Sequence, residues 1–305
     1  MNGGDPSGGM RIFDRRAVAA HRERAARNLT DHDFLFREVA DRLAERLADM
    51  NRSFDRAVEL GTRPGIMRDA LAASGKIASL TETGPSLSAA RPDVVADEEF
   101  LPFADQSIDL VISNLSLHWV NDLPGTLIQI RRALKPDGLF LAAMLGGDTL
   151  AELRHAFIEA EASVTGGVSP RISPFADLGD AAQLLQRAGF ALPVADTDTI
   201  TVTYEDAFRL MRDLRGMGET NALADRAKSF TRRAVLFGAA ARYADLYAGA
   251  DGRIPARFQV LYLAGWAPHA SQQKPLRPGS AESRLADALE TQEFPAGEKT
   301  RGGGG

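Results

Sequence analysis

The stretch "AVELGTRPGIM", residues 57–67, has the form of a buried strand that runs into a glycine-containing turn and then a helix. In a parallel α/β sheet, such a turn brings backbone amides and the positive end of the following helix close to a polar ligand. The same pattern also occurs as a plain strand-to-helix turn without any ligand. The stretch therefore predicts a local strand, turn and helix, and leaves ligand binding open.

The segments around this stretch extend the pattern, because short apolar runs alternate with amphipathic helical segments from residue 54 onward. Such alternation is typical of a parallel sheet built from strand–helix–strand units. We predict an α/β fold with a doubly wound, Rossmann-like sheet and the first helix at "GIMRDALAASG" (65–75). The predicted strands are "RAVEL" (56–60), "KIASL" (76–80), "DVVAD" (93–97), "SIDLVIS" (107–113), "LFLAAML" (139–145), "ADTDTITVTY" (195–204) and "ARFQVLYLAGW" (256–266).

The chain divides into four parts by composition and pattern. Residues 1–10 and 271–305 are glycine-rich or polar and are predicted to be mostly disordered tails. Residues 11–52 are predicted to form N-terminal helices that cover the core rather than form it, and residues 53–270 the main domain, with a helical insertion at about 204–250. The apolar stripe of the N-terminal helices consists of Phe34, Leu35, Val39, Leu43 and Leu47.

Composition excludes several classes of protein. The chain has no cysteine, which excludes disulfides and thiolate metal sites, and its five histidines follow no metal-binding spacing, so we predict no bound metal. A net charge of −5 and a pI near 5.6 argue against a nucleic-acid partner. No apolar run approaches about 18 residues, so we predict no membrane insertion. The start "MNGGDPSGGM" (1–10) lacks a charged region followed by an apolar one, so we predict no signal peptide, and the absence of cysteine fits a cytoplasmic location.

The glycine turn has a spacing that bears on the choice of cofactor. Gly61 and Gly65 are four positions apart, which does not fit the G-x-G-x-x-G pattern of dinucleotide-binding proteins. Glu59 followed by these glycines suits S-adenosylmethionine better than NAD. Arg63 stands in the middle of the turn, where its guanidinium could bind the carboxylate of a ligand, and Pro64 suits the first position of a helix.

Acidic side chains follow the next two predicted strands. Glu82 lies at the end of the second strand, where a carboxylate can bind both hydroxyls of a ribose, and Thr81 replaces it if the register shifts by one residue. Asp97 and Glu98 follow the third strand. They either line an adenine pocket or belong to an exposed acidic loop.

The fourth predicted strand ends in polar residues at the edge of the sheet where ligands of open α/β folds bind. Ser113 and Asn114 end the strand, and His118 and Trp119 follow shortly after it. His118 is a candidate for proton transfer, since histidine titrates near neutral pH. The alternative is that His118 and Trp119 form a packed, hydrogen-bonded structural pair, so the catalytic residues stay unknown, with these two as candidates.

Two helical segments have two interpretations each. The basic segment "RIFDRRAVAAHRERAAR" (11–27) either binds an anionic partner or forms a solvated helix face, and we favour the solvated face because acidic residues are interspersed. The segment "YEDAFRLMRDLRGMGETNAL" (204–223) contains a stripe of large apolar residues at helical spacing. This stripe indicates either a lid that binds a partner or a helix packed on the core.

The run "VVADEEFLPFADQSIDLVISNLSLHWVNDLPGTLIQIRRALKPDGLFLAAMLGGDTLAELR" (94–154) resembles the class I S-adenosylmethionine-dependent methyltransferases. It is similar in particular to the family of mitochondrial respiratory complex I assembly factor five and its bacterial relatives, and more distantly to the carrier-protein O-methyltransferases of biotin synthesis. Four further segments support the resemblance: "IFDRR" (12–16), "ISPFADLGDAAQLLQRAGF" (172–190), "MRDLRGMGETNAL" (211–223) and "LYLAGWAPHASQQKPLRPGSA" (261–281).

The resemblance implies a mostly parallel, seven-stranded sheet with one antiparallel strand near an edge and a helical insertion before the last strand. It also implies an enzyme of the methyltransferase superfamily, with S-adenosylmethionine as cofactor, that hydroxylates an arginine of a complex I subunit, with peripheral association through complex I. The chain departs from the family at the turn, where Thr62, Arg63 and Pro64 lie between the two glycines. The positions that match family cofactor motifs are Glu59, Gly61, Gly65, Glu82, Asp97 and Asn114.

Two other functions remain open from the sequence. One is methyl transfer to a carboxyl group of a small molecule or a carrier protein, which needs an aligned acceptor and few dedicated catalytic residues. The other is a non-catalytic assembly chaperone that has kept the fold while its cofactor turn decayed.

Overall fold

The computed structural model of this protein describes residues 11–86 and 91–273. All of the helices and strands given below lie in one compact unit, residues 1–269, and a second unit comprises residues 270–305, of which residues 270–273 are described. The predictions of a disordered tail at residues 1–10 and from residue 274 onward fall outside the described residues.

Seven strands form one sheet in the order β3-β2-β1-β4-β5-β7-β6. β7 is antiparallel to both of its neighbours, whereas the other described pairs are parallel. The prediction of a doubly wound sheet with one antiparallel strand near an edge is therefore confirmed. The strands are β1 (Phe54–Glu59), β2 (Ile77–Gly84), β3 (Val94–Val95), β4 (Ile108–Asn114), β5 (Leu134–Leu145), β6 (Ala191–Tyr204) and β7 (Ile254–Trp266).

Helices cover both faces of this sheet. Two of them, α7 and α8, form the predicted insertion between β6 and β7 and are separated by a non-helical segment, residues 218–232. The helices are α1 (Arg15–Ala26), α2 (Phe34–Ala48), α3 (Ile66–Ala72), α4 (Leu123–Ala133), α5 (Ala151–Thr165), α6 (Leu178–Arg187), α7 (Ala207–Met217) and α8 (Arg233–Tyr247). In the part of the chain that the structure describes, none of the helices combines the length and apolar character needed to span a bilayer.

Local sequence explains where several of the helices begin. Asp122, Asp177 and Asp206 each precede a helix and accept a hydrogen bond from a backbone amide of its first turn. Such caps satisfy amide groups that have no partner inside the helix. At α4 the proline at position 124 adds to this effect, because its fixed backbone angle suits the first turn.

The core lies on both sides of β4 and β5, and α2 belongs to it. Leu35, Val39, Leu43 and Leu47 of α2 are at most 1% exposed and pack in the largest apolar cluster, together with β1, β4, β5 and the insertion helices. The prediction that the N-terminal helices cover the core without forming it is therefore wrong for α2. Phe34, which begins the predicted stripe, is 37% exposed.

Three predicted boundaries around the glycine turn are also wrong. β3 contains only Val94–Val95, because it pairs with the end of β2 alone and forms the edge of the sheet. α3 begins at Ile66, with Gly65 as its N-cap at a positive φ of 72°, so Pro64 precedes the helix instead of opening it. α3 ends at Ala72, before the predicted stop at residue 75.

Candidate functional site

The carboxyl ends of β1, β2 and β4 meet at one edge of the sheet and bring three predicted site residues together. Glu59 pairs in register with Glu82 on one side and with Ile112 on the other. Asn114 ends β4, two residues beyond Ile112. All three polar side chains belong to residues that are at most 9% exposed.

The glycine turn is closely packed against the segment that follows β4. Gly61 has a φ of 72°, and a Cβ built on it would lie 1.9 Å from Ser116 Oγ and 2.7 Å from Glu98 Oε1. Gly65 has the same φ but no comparable crowding, since its nearest neighbour would be Asp69 Oδ2 at 3.7 Å. Glycine at position 61 is therefore required by space as well as by backbone angle, and side chains of the protein itself fill the space above it.

Thr62 joins the two acidic side chains at the ends of β1 and β2. Its hydroxyl donates to Glu59 Oε2 at 2.9 Å and lies 3.4 Å from Glu82 Oε1. Glu82 also accepts a hydrogen bond from Arg68 Nε at 2.9 Å, and Arg68 reaches Asp93 at 3.2 Å. Burial raises the pKa of Glu59 to about 8, and the nearby Glu82 carboxylate adds to this rise although the Thr62 hydrogen bond opposes it.

Glu98 is the centre of a buried ion-pair network. It accepts hydrogen bonds from Arg22 Nη1 at 2.6 Å, from Arg15 Nη2 and from the Ser116 hydroxyl. Arg22 Nη2 also donates to Ser116 Oγ at 2.9 Å. Burial alone would raise the pKa of Glu98, but the charges of Arg22 and Arg15 outweigh it and hold that pKa far below its ordinary range.

This network contradicts two sequence interpretations. The favoured solvated face of the basic segment is wrong, because Arg22 is 8% exposed and its guanidinium points into the site. The exposed acidic loop is wrong for Glu98, which is 2% exposed. Asp97 has a side chain that is 35% exposed and binds Arg15 Nη2 at 2.6 Å. Arg15 and Arg22 of α1 therefore form ion pairs with the acidic side chains that follow β3.

Arg63, in the middle of the glycine turn, is buried against the insertion. Its Nη2 donates to Glu219 Oε1 at 2.9 Å, and its guanidinium carbon lies 4.6 Å from the centre of the Phe36 ring. The other oxygen of Glu219 accepts from Trp119 Nε1 at 2.8 Å and lies 3.0 Å from His118 Nε2. Glu219 thus connects the glycine turn with the segment that follows β4.

His118 is fully enclosed, and both of its ring nitrogens have partners. Its Nε2 faces Glu219, and its Nδ1 accepts from the Leu145 amide at 3.5 Å. Burial lowers the pKa of His118, although Glu219 opposes this, so the neutral ring is favoured with its proton on Nε2. The geometry fits the structural pairing of His118 and Trp119 that the sequence left open.

Asn114 and Ser113 face the backbone of neighbouring elements. Asn114 Nδ2 donates to the Phe36 carbonyl at 2.9 Å, and Ser113 Oγ donates to the Leu60 carbonyl at 3.2 Å. Within the described residues, Asn114 Oδ1 is buried without a hydrogen-bond partner. This oxygen can accept a hydrogen bond from a ligand.

Three cavities lie next to these residues, and one of them, of about 220 Å³, is bordered by Arg15, Pro85 and Asp97. The cavity beside the glycine turn measures about 20 Å³ and is bordered by Arg22, Thr62 and Arg63. A second cavity of about 220 Å³ lies between the sheet edge and the insertion, with Glu219 in its wall. Its apolar lining comprises Leu35, Trp119, Leu145, Leu150, Leu153, Phe157, Ile172, Phe175, Met211, Leu214, Leu236 and Phe258.

Of the two interpretations of the insertion helix α7, a partner-binding lid or a helix packed on the core, the structure supports the second. Leu210 is fully buried and Leu214 is 8% exposed, and both belong to the main apolar cluster. The stripe on α7 therefore packs on the core. In residues 11–86 and 91–273, no group of three or more histidine, cysteine, aspartate or glutamate side chains is placed to hold a metal ion.

Sequence reasoning missed Arg15, Arg22, Thr62, Ser116 and Glu219 as site residues. Thr62 had a usable signal, because a hydroxyl three residues after Glu59 in a tight turn can reach back to that carboxylate. Glu219 lies 156 residues from Arg63, and Arg22 lies 76 residues from Glu98. No local pattern relates residues at such separations.

Comparison with known proteins supports the fold and indicates the protein family. The methyltransferase domain family matches residues 31–193. The arginine-hydroxylase NDUFAF5 of Danio rerio is 42% identical over 92% of this chain and 90% of its own length, and that of Homo sapiens is 44% identical over 89% and 81%. The malonyl-[acyl-carrier protein] O-methyltransferase of Xylella fastidiosa is 35% identical over 84% and 89%.

A solved structure agrees with the fold but adds nothing on function. The YcgJ protein of Bacillus subtilis aligns with a TM-score of 0.50 at 14% identity, over 75% of this chain and 99% of that protein. The NDUFAF5 relatives are named as mitochondrial proteins, so the prediction of a plain cytoplasmic location is contradicted. From the matched domain and the near full-length similarity, the chain belongs to the methyltransferase domain family that includes the arginine-hydroxylase NDUFAF5 proteins.

Proposed function

We propose that this protein hydroxylates an arginine side chain of a complex I subunit during assembly of that complex. The observation that carries the proposal is 42% to 44% identity to relatives named arginine-hydroxylase, over about nine-tenths of this chain. The similarity covers 92% of this chain, well beyond the matched domain at residues 31–193.

The proposed reaction converts a C–H bond of the arginine side chain into C–OH. We propose dioxygen as the source of the oxygen atom, with its other atom leaving as water. A reduced nicotinamide from solution supplies the hydride and solvent supplies the proton that balance this step, because S-adenosylmethionine supplies neither. The protein contributes a site that excludes water and binds a cationic side chain. The proposal assigns proton transfer to no side chain, because both ring nitrogens of His118 are already hydrogen-bonded.

S-adenosylmethionine is the cofactor that we propose, and membership in the methyltransferase family supports it. The residue types at the sheet edge fit such a ligand: Glu82 for the ribose hydroxyls, Asp97 and Glu98 for the adenine side, and the buried Asn114 Oδ1 as an acceptor. The remaining residues proposed for cofactor binding are Glu59, Gly61, Arg63 and Gly65.

The side chains around the glycine turn leave little space for the cofactor. The cavity at the glycine turn is about 20 Å³, whereas ligand pockets usually measure about 300 to 1,000 Å³. Arg22, Ser116 and Glu98 fill the space above Gly61. Binding therefore requires displacement of these side chains, and we expect the measured affinity to include the cost of separating Arg22 from Glu98.

The proposed function can be tested in cells. Complex I is isolated from a strain that lacks this gene and from the same strain carrying the wild-type gene, and its arginine-containing peptides are compared by mass spectrometry. The proposal predicts an arginine that carries one extra oxygen only when the gene is present. An identical set of arginine modifications in both strains would overturn it.

A matched variant separates catalysis from chaperoning. The double substitution Glu59→Ala and Glu82→Ala removes both carboxylates at the ends of β1 and β2. Under our proposal, this variant restores neither the arginine modification nor the assembly of complex I. If it restores assembly as well as the wild type does, the cofactor site is dispensable and the protein acts as a chaperone.

Carboxyl methylation of an acyl carrier protein is a second candidate, favoured by 35% identity to the Xylella enzyme. It predicts transfer of labelled methyl from S-adenosylmethionine to malonyl carrier protein by the purified chain. Absence of labelled ester under conditions where the Xylella enzyme forms it would exclude this candidate.

A further inference from the structure

The contact between Arg63 and Glu219 has the chemistry of a bound arginine substrate. The Arg63 guanidinium shares one hydrogen bond of 2.9 Å with the Glu219 carboxylate and lies over the Phe36 ring. Both side chains are only 5% exposed. A carboxylate on one side and an aromatic face on the other are the features by which proteins bind guanidinium groups.

Glu219 is prepared to receive a cation. Trp119 Nε1 and His118 Nε2 hold one carboxylate oxygen, which leaves the other oxygen directed at the guanidinium. Burial would raise the pKa of Glu219, but the hydrogen bond from His118 and the charge of Arg63 outweigh this and lower it, so the carboxylate is charged.

Arg63 is held weakly for a buried arginine. Within the described residues, its Nε and Nη1 atoms are buried and have no hydrogen-bond partner. Burial, together with the nearby charge of Arg22, lowers the pKa of Arg63 to about 10. Unpaired buried donors carry a free-energy penalty, so a competing guanidinium does not have to break a fully satisfied site.

The 220 Å³ cavity beside the insertion offers a path to the same carboxylate. Glu219 forms part of its wall, and most of the other lining side chains are aliphatic or aromatic. Arg171, the other charged side chain of the wall, is paired with Glu161 at 2.5 Å. An arginine side chain has an apolar stem of methylene groups and a charged end, and such side chains bury their stems against apolar surface. The cavity thus matches the stem, and Glu219 matches the charged end.

We propose that Glu219 binds the guanidinium of the substrate arginine, and that the stem of that arginine lies in the 220 Å³ cavity bordered by Glu219. In the absence of substrate, Arg63 pairs with Glu219, and the substrate arginine displaces it. This inference rests on the proposed function for the identity of the substrate. It adds the binding residue, the cavity and an internal competitor. Lysine is a poorer substrate in this scheme, because its ammonium group lacks the planar fork that pairs with a carboxylate.

Binding of a small probe to the full chain tests the inference without requiring turnover. The probe is N-acetyl-arginine amide, the control ligand is its uncharged analogue N-acetyl-citrulline amide, and the affinity is measured by titration calorimetry. We expect Arg63→Ala to bind the arginine probe at least tenfold more tightly than wild type. Glu219→Gln should lose the preference for arginine over citrulline.

Matched variants control for general effects of charge and burial. Arg68→Ala removes an arginine that pairs with Glu82 at the same sheet edge, and Glu152→Gln alters a buried carboxylate that pairs with Arg257. Neither should change binding of the arginine probe. The double variant Arg63→Ala, Glu219→Gln removes both charges together. If this double variant folds and has no preference for arginine over citrulline, the loss of that preference in Glu219→Gln is not due to unfolding.

Several results would overturn the inference: an arginine preference that survives in Glu219→Gln, an Arg63→Ala protein that binds no more tightly than wild type, or no arginine binding by any variant. These results differ from failure of the proposed function. Specific arginine binding with no oxygenated arginine in complex I would retain the binding site and refute the hydroxylase.

Discussion

Substituting alanine for Gly61 tests whether the space above the glycine turn is filled by the protein itself. Gly61 and Gly65 both have a φ of 72°, so alanine meets the same backbone strain at either position. They differ in their surroundings, because a Cβ at position 61 would lie 1.9 Å from Ser116 Oγ and 2.5 Å from Ser116 Cβ. A Cβ at position 65 has its nearest neighbour at 3.7 Å.

The two substitutions should therefore differ by the cost of overpacking. The left-handed backbone costs an alanine about 1–2 kcal/mol at either position. Inserting a methyl group into a filled space adds about 1–3 kcal/mol at position 61 alone. We expect Gly65→Ala to lower the free energy of unfolding by about 1–2 kcal/mol and Gly61→Ala by about 2–5 kcal/mol.

Urea unfolding followed by circular dichroism measures both losses, and the difference between the variants is the informative quantity. Adding Ser116→Gly to Gly61→Ala removes both of the closest atoms and should recover part of the difference as a favourable coupling energy. Equal losses for Gly61→Ala and Gly65→Ala, with no coupling to Ser116, would refute the closed arrangement of the site.

Three further predictions follow from the same residues. Glu98→Gln should lower the free energy of unfolding by about 3–5 kcal/mol, because it leaves the buried Arg22 without a charged partner. Urea unfolding measures this loss, and a loss below about 1 kcal/mol would contradict the buried network. Glu59, whose pKa is raised from 4.5 to about 8, stabilises the fold below pH 4.5, and this contribution is lost as the pH rises through 8. Wild type should therefore lose stability relative to Glu59→Gln between pH 5 and 8 by a few kcal/mol, and parallel pH profiles would refute the buried protonated acid. Arg22→Ala should bind S-adenosylmethionine at least tenfold more tightly in calorimetry, since the cofactor no longer has to displace that guanidinium, whereas weaker binding would show that Arg22 contacts the cofactor.

The sheet was predictable from sequence because its strands are encoded locally. In β4 (Ile108–Asn114), the apolar residues 110–112 do not alternate with polar ones, as expected for a strand buried on both faces, and six of its seven residues are buried. The positions of Glu59, Glu82 and Asn114 at one edge follow from parallel strands alone. The short β3 (Val94–Val95) was overestimated, because strand length at a sheet edge depends on the single neighbour that pairs with it.

The closure of the site was not predictable, because it depends on long-range pairing of charges. Arg22 and Glu98 each fit an exposed helix or loop when considered alone, and only the packing of α1 against the sheet edge brings them together. The same holds for Arg63, whose expected partner was a ligand carboxylate and whose observed partner is Glu219 from the insertion. The sequence shows that these side chains are charged, but it does not show which residues they pair with.

Isotope labelling in cells tests the central claim of arginine hydroxylation most directly. The strain that lacks this gene, with and without the wild-type copy, is grown under heavy-isotope dioxygen, and the arginine peptides of complex I are analysed by mass spectrometry. The account predicts one arginine that carries a heavy oxygen atom only in the complemented strain. The same arginine spectrum in both strains, or a modified arginine that gains a methyl group in place of oxygen, would contradict it.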